Sequence, residues 1–329
     1  MKKRIVVIGG GTGTHTVLRG IKHYHRECDI AAIVTMADSG GSTGRLRDEF
    51  GQLPVGDARM ALAALAREDG QSEELLRQLF MYRFAKGAGL EGHNFGNLFL
   101  VALTELLGSE AAAIAAAGSV LRVVGQVHPV TESPVDLIAT YDDGVTIVGE
   151  HDIDEPPTDR YDRRIVDLEV TPSVPLTAAA AAAIKDADLI VLGPGDLYTS
   201  LLANVVVPGV AAELQATDAS FVYVANLMTK AGQTTGYGLR QHVETITHYV
   251  GRAPDHILAN TTPLPPDLLG RYAAEHEYPV DLDLAGDKRL IVADLLADEE
   301  ITTTAGDVLK RSLIRHDSTK LAQHLRELL

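Results

Sequence analysis

The chain is short of several residue types, and each shortage narrows what it can be. Cys28 is the only cysteine among 329 residues, which excludes an internal disulfide and a thiolate zinc cluster and fits a reducing compartment. Tryptophan is absent and aromatic residues amount to 5%. Positive charge is in deficit: 29 Lys and Arg against 45 Asp and Glu give a formal net charge of −16. That balance argues against sequence-independent binding to nucleic acid or anionic membrane, because both need a cationic face. It leaves room for a small anionic ligand, which needs only local donors. Long apolar runs are also missing. Ile5-Val6-Val7-Ile8 is far too short for a signal peptide's core, and no segment approaches a transmembrane length. The expectation is a soluble cytoplasmic protein with no membrane insertion and no nucleic-acid partner.

What is present reads as an ordinary globular α/β chain, with 46% hydrophobic and 22% charged residues. Short β-branched runs alternate with helical, alanine-rich stretches. The strand candidates are Arg4–Ile8, Ile30–Met36, Leu189–Leu192, Phe221–Val224, Ile257–Ala259 and Leu290–Val292. Several are apolar on both faces, as central parallel strands covered by helices are. The pattern predicts a Rossmann-like, doubly wound, mostly parallel sheet with helices on both faces. Helical cores are expected at Ala61–Ala66, Leu75–Tyr82 and Leu98–Leu107. From Leu121 to Val170 the chain turns β-like and loop-rich, and VVGQVHPVT falls in this stretch. We read 121–170 as a hairpin layer inserted beside the sheet, within one domain spanning 1–329.

Four strands run straight into polar, glycine-bearing loops: GGGTGTH, ADSGGSTGR, GPGDLYTS and ANLMTKAGQTTGY. In an open α/β sheet the ligand crevice lies beyond the carboxyl ends of the strands, so the four loops should meet at one cleft. The first loop, with Gly10, Gly11, Thr12 and Gly13, joins a strand to a helix, a junction suited to an anion. The dinucleotide fingerprint G-x-G-x-x-G nevertheless fails, since its third glycine falls on Thr14 or Thr16. An NAD(P)-dependent oxidoreductase is therefore disfavoured. The second loop offers Asp38, Gly40, Gly41, Ser42 and Arg45, a set that suits a diphosphate held by N–H groups with Arg45 or Arg47 as clamp. It lacks the Gly-Lys-Ser/Thr ending of a Walker A loop. In the third, Gly193 and Gly195 precede the hydroxyls of Thr199 and Ser200 at a helix start.

Further candidates carry two readings each. Asn94 and Asn97 in GHNFGN suit a base edge or sugar hydroxyl, and Asn94 equally suits a helix cap. His93 is the acid/base candidate by its ordinary pKa, with Asp38 and Asp57 beside it, but one histidine without a partner makes no catalytic argument. Asn226 has the donor and acceptor needed to read a base, or is a turn residue. His23 and His25 lie on different faces of a helix end and form no metal site.

Taken together, GGGTGTHTVLRG, IVTMADSGGSTGRLR, LPVGDARMALAALA, GHNFGNLFLVALTE, LGPGDLYTSLLANVVVPG, VYVANLMTKAGQTTGY and IRHDSTKLA resemble the YvcK family, the gluconeogenesis factors, within the CofD-like superfamily. The matching pieces run in family order through residues 9 to 323. The resemblance implies a Rossmann-like fold, a cytoplasmic location and a nucleotide-sugar ligand such as UDP-glucose or UDP-N-acetylglucosamine. It also implies a regulatory role in carbon metabolism, cell-wall (peptidoglycan) synthesis and cell shape. Its implied partners are cell-wall or central-carbon regulatory proteins and a second copy of the chain, without an assigned catalytic activity. Asp57 and Arg59 match the family's Gly-Asp-x-Arg element, whose plain alternative is a capping aspartate with an exposed arginine. By resemblance, Tyr272 stacks on uracil and Arg315 pairs with diphosphate. The superfamily's enzymatic branch, the 2-phospho-L-lactate transferases, gives the alternative reading, and only there is magnesium implied. Ser39 replaces the second of two consecutive acids typical of that loop, which removes a carboxylate from metal or acceptor binding and counts against the transferase. No resident cofactor or metal is otherwise expected.

Overall fold

The structure is a computed structural model that describes residues 2–50, 54–298 and 313–329, the side chains at 47–50 excepted. Its strands, in chain order, are β1 (Lys3–Gly9), β2 (Cys28–Val34), β3 (Gln126–Pro129), β4 (Asp136–Tyr141), β5 (Thr146–Val148), β6 (Ile165–Thr171), β7 (Leu189–Leu192), β8 (Ser220–Val224), β9 (His256–Asn260) and β10 (Leu290–Ala293). Seven form one sheet in the order β10-β9-β8-β7-β1-β2-β3, and every pairing in it is parallel. The remaining three form an antiparallel sheet, β5-β4-β6.

The parallel sheet follows from strands that bury both faces. Ile5 and Val7 of β1 join one hydrophobic cluster, while Val6 and Ile8 join the other. The first cluster receives α1 (Gly11–Ile21), α3 (Gly56–Leu65) and the closing helix Ser318–Glu327, which contribute Val17, Leu62 and Leu321. The second receives the helices Ala178–Lys185 and Leu239–Val250 and the small sheet, through Ile184, Val243 and Leu137. Each fully buried Val, Ile or Leu contributes roughly 1.5–3 kcal/mol of transfer free energy. All four residues of β7 are buried, as expected for the central strand of seven.

All six expected strands form, with ends shifted by a residue or two. The expected helical cores fall inside α3, α4 (Gln71–Met81) and α5 (Phe95–Leu107), apart from single terminal residues; α2 (Gly41–Phe50) and α6 (Glu110–Val120) complete the helices between β2 and β3. One expectation is corrected. QVHP does not belong to the inserted hairpin layer, because it pairs in parallel with β2, Ile33 opposite His128, and becomes the edge of the main sheet. An edge strand tolerates Gln126, His128 and Pro129 because only one side of its backbone must be paired. The inserted layer therefore begins at β4.

The topology also fixes where a ligand crevice opens. From β1 the chain moves to β2 on one side and later returns to β7 on the other, so the order reverses at β1. Among the described residues, no single helix is long and apolar enough to cross a membrane.

Candidate functional site

At that reversal point the structure opens a cleft of about 820 Å3, a volume in the range of small-ligand sites. All four glycine-bearing loops line it, as the sequence predicts: Gly10–Gly13, Asp38 with Gly40–Thr43, Gly195 with Thr199 and Ser200, and Asn226. The sheet brings these loops together because β1, β2, β7 and β8 are neighbours and end on the same side.

The first loop opens α1, and the N–H at its start is already engaged. Gly11 N donates to Asp57 Oδ1 at 2.7 Å. The carboxylate of Asp57, in the first turn of α3, thus occupies the position an anion takes at a helix N-terminus. This explains Gly10, since a Cβ there would collide with the Asp57 carboxylate. Gly13 has a different reason: a Cβ would run into the Pro194 carbonyl, so the first and third loops pack backbone on backbone. Asp57 is therefore not the helix cap that its plain reading offered, because α3 has no side-chain cap.

The second loop is held from several sides. Asp38 Oδ1 accepts from Gly40 N at 2.9 Å. Ser42 Oγ accepts from Asn94 N at 3.2 Å and lies 3.2 Å from His93 Nδ1. Asn97 bridges the loop to α3, donating from Nδ2 to Thr43 Oγ1 at 3.3 Å and accepting from Arg59 Nε at 2.8 Å. Arg59 is buried, not exposed, and its Nη1 donates to the soft Met81 sulfur at 3.0 Å. Asn94 caps α5, accepting from Gly96 N and Asn97 N, so its capping reading is the one the structure displays. Ser39, in the place of the second acid, accepts from His151 N at 2.9 Å and ties the second loop to the inserted layer.

Three candidates fall outside the cleft lining. His93 is buried behind Ser42. Arg45 turns away, its guanidinium donating to the Glu91 carbonyl at 3.2 Å, so it is no clamp in this arrangement. Gly193 is buried at the end of β7 and takes no part in the wall. The Arg47 side chain lies outside the described residues.

The inserted layer brings Glu150 and Asp154 to the cleft, where they join Asp38, Asp57 and Asp196. Crowding of like charge away from water disfavours ionisation. Burial, then the charge of Asp38, pushes Asp57 up to about 7. Burial also raises Asp38, against the Gly40 N–H, the Thr43 hydroxyl and Arg59. Glu150 is pushed well above the usual carboxylate range by burial, then by Asp38 and Asp154. Burial lifts Asp196 to about 6 in spite of Lys230. Burial works against the Lys230 charge, but Asp196, Asp154 and Glu277 more than offset it, so its pKa is raised. The Lys230 ammonium stands 3.5 Å from Asp154 Oδ1. Burial, then Arg19 and Arg77, pulls His15 down to about 3, which keeps its imidazole neutral. Arg59, Arg77 and Arg83 share the lining with these carboxylates, and the charge of Arg59 acts on both Asp38 and Asp57.

Among the described residues no group of three His, Cys, Asp or Glu side chains has the geometry to hold a metal ion.

The comparisons with known proteins agree with this fold. The family model described as 2-phospho-L-lactate transferase CofD matches residues 5–298. A gluconeogenesis factor from Bacillus subtilis is 38% identical, over 100% of this chain and 98% of its own. The chain belongs to the CofD family, among the gluconeogenesis factors. A Nostoc relative is 43% identical over 98% of this chain and 68% of its own length. A crystal structure of a UPF0052 family protein from Bacillus halodurans superposes with a TM-score of 0.88 at 35% identity, covering 99% of both chains.

In this gluconeogenesis-factor chain the two candidates named by resemblance also reach the cleft. The Tyr272 hydroxyl accepts from Leu313 N at 2.7 Å and Ile314 N at 3.0 Å, so the tyrosine holds the segment that carries Arg315. Its ring is buried against Leu296 and Ile314, which differs from an open stacking platform. Asn226 also has structural work: it accepts from Tyr223 Oη at 2.8 Å and donates to the Gly195 carbonyl at 2.7 Å. Sequence reasoning missed His15, Arg77, Arg83, Glu150, Asp154 and Lys230 as wall residues. His15 and Lys230 sat inside quoted loop motifs, so the spacing that flagged their neighbours also pointed to them. Glu150 and Asp154 carried no such signal, because only the packing of the inserted layer places them there.

Proposed function

We propose that this chain is a regulatory protein that binds a nucleotide sugar, such as UDP-glucose or UDP-N-acetylglucosamine, in the cleft at β1. In this reading occupancy reports on carbon metabolism and is passed to partners in central-carbon or cell-wall synthesis in the cytoplasm. The observation that carries it is the meeting of four glycine-bearing loops at one cleft, with buried Arg59 and with Arg315 on its wall. Hydroxyls and amides there suit a sugar, and the arginines suit a diphosphate. The first loop supports the reading less simply than its sequence suggests, because Asp57 already sits on the Gly11 N–H. A diphosphate must displace that carboxylate or lie nearer Ser42 and Arg59.

The test is mass spectrometry of small molecules retained by the purified full chain. A retained UDP-sugar is the expected result; a retained nicotinamide dinucleotide would overturn the reading. The transferase alternative is favoured by the description of the matching family model. It predicts acceptor-dependent release of a nucleoside monophosphate in magnesium. The use of Ser39 to pin the inserted layer argues for no such release.

A further inference from the structure

A second cavity, of about 460 Å3, lies beyond the ends of β8 and β9. It opens beside the main cleft and shares Asn226 and Leu227 with it. The dividing wall is fixed by backbone pairing: Val280 N donates to the Leu227 carbonyl at 3.1 Å, and Met228 pairs with Pro279. Leu264 and Leu269 contribute to the lining, and Val280 and Leu282 add further apolar surface. The polar part of the lining includes Asn260 and Asp281. The Asn260 amide anchors the loop, donating to the Thr262 carbonyl at 2.8 Å and accepting from Leu295 N at 3.0 Å. An amide nitrogen carries two hydrogens. Among the described residues, Asn226 and Asn260 each use one, on Gly195 and Thr262 respectively.

We propose that this cavity receives the nucleobase of the ligand whose phosphates lie in the main cleft, an inference that rests on the nucleotide-sugar reading above. Three properties of the cavity fit a base. Apolar side chains supply the contact that a planar ring needs. The spare amide hydrogens of Asn226 and Asn260 suit ring carbonyl oxygens, and the Asp281 carboxylate suits a ring N–H. Uracil presents that set, one N–H between two carbonyls. The spacing fits as well. Neighbouring strands are about 4.8 Å apart, so the step from β1, where the order reverses, to β9 is roughly 14 Å, the order of separation that a ribose and its phosphates span.

Photolabelling tests the placement on the unmodified protein. With 5-azido-UDP-glucose, which carries its reactive group on the uracil, the label is expected in peptides covering 259–269 or 279–282. Label confined to the loops at 9–13 and 38–45 would overturn the inference. Calorimetry with UDP-N-acetylglucosamine gives a second readout. Leu264→Trp and Leu269→Trp fill the cavity and should weaken binding about 50-fold, the loss expected if roughly 100 Å2 of ring surface stays in water. Unchanged affinity in both folded variants would overturn the inference while the nucleotide-sugar reading stands. Absence of binding to the unmodified chain would overturn both.

Discussion

Replacing Asp57 by asparagine should stabilise the protein, and the gain should depend on pH in a defined way. In the folded chain the carboxyl is raised from 3.8 to about 7 by burial and by Asp38. Each unit of difference is worth about 1.4 kcal/mol, so the ionised group costs about 4 kcal/mol at most. Part of that belongs to Asp38, whose own burden lightens once its neighbour is neutral, which leaves about 2–4 kcal/mol for the substitution. Below pH 3.8 the carboxyl is protonated in both states, and no penalty exists. Between 3.8 and about 7 the folded protein keeps a proton that the unfolded chain has lost, so stability falls as pH rises. Above about 7 both states are ionised and the penalty is constant. Asparagine retains an oxygen for the Gly11 N–H and removes the charge. Urea unfolding of Asp57→Asn and the unmodified chain at pH 5, 6.5 and 8 should therefore show a gain that grows with pH. A gain of equal size at every pH, or a loss at pH 8, would refute the electrostatic account of the cleft.

Two other substitutions probe its walls. Tyr272→Phe removes the acceptor for Leu313 N and Ile314 N; it should cost about 1–3 kcal/mol in urea unfolding and weaken UDP-sugar binding by freeing the segment that carries Arg315. Lys230→Met leaves Asp154 and Asp196 without their cation; because the site is partly exposed the cost should be about 2–4 kcal/mol, larger at pH 8 than at pH 5, as urea unfolding at the two pH values would show.

The fold was largely legible because its signals are local. β-Branched runs such as Leu189–Leu192 have one stable use, a strand covered on both faces. QVHP misled because polar and proline residues read as a hairpin when the strand's place at the sheet edge is unknown. The site was legible as a place and less so as a set of contacts. Glycine-bearing loops after parallel strands predicted the cleft, yet glycine spacing could not reveal that Gly10 makes room for Asp57 or that Gly13 makes room for Pro194. Arg45, which looked like a clamp, is claimed by a carbonyl of the loop before α5. Arg59, whose plain reading was an exposed side chain, is buried and fixed by Asn97. Such outcomes depend on contacts 38 or 46 residues apart in sequence, which no local pattern encodes.

The most direct measurement is titration calorimetry of the full chain with UDP-N-acetylglucosamine at pH 6.5 and 8, alongside Arg315→Ala. Protonation of Asp57 and Asp196, raised to about 7 and about 6, removes negative charge from the path of a diphosphate as pH falls. Saturable binding is expected, tighter at pH 6.5 than at pH 8 and weakened by Arg315→Ala. No heat of binding at millimolar ligand at either pH would contradict it.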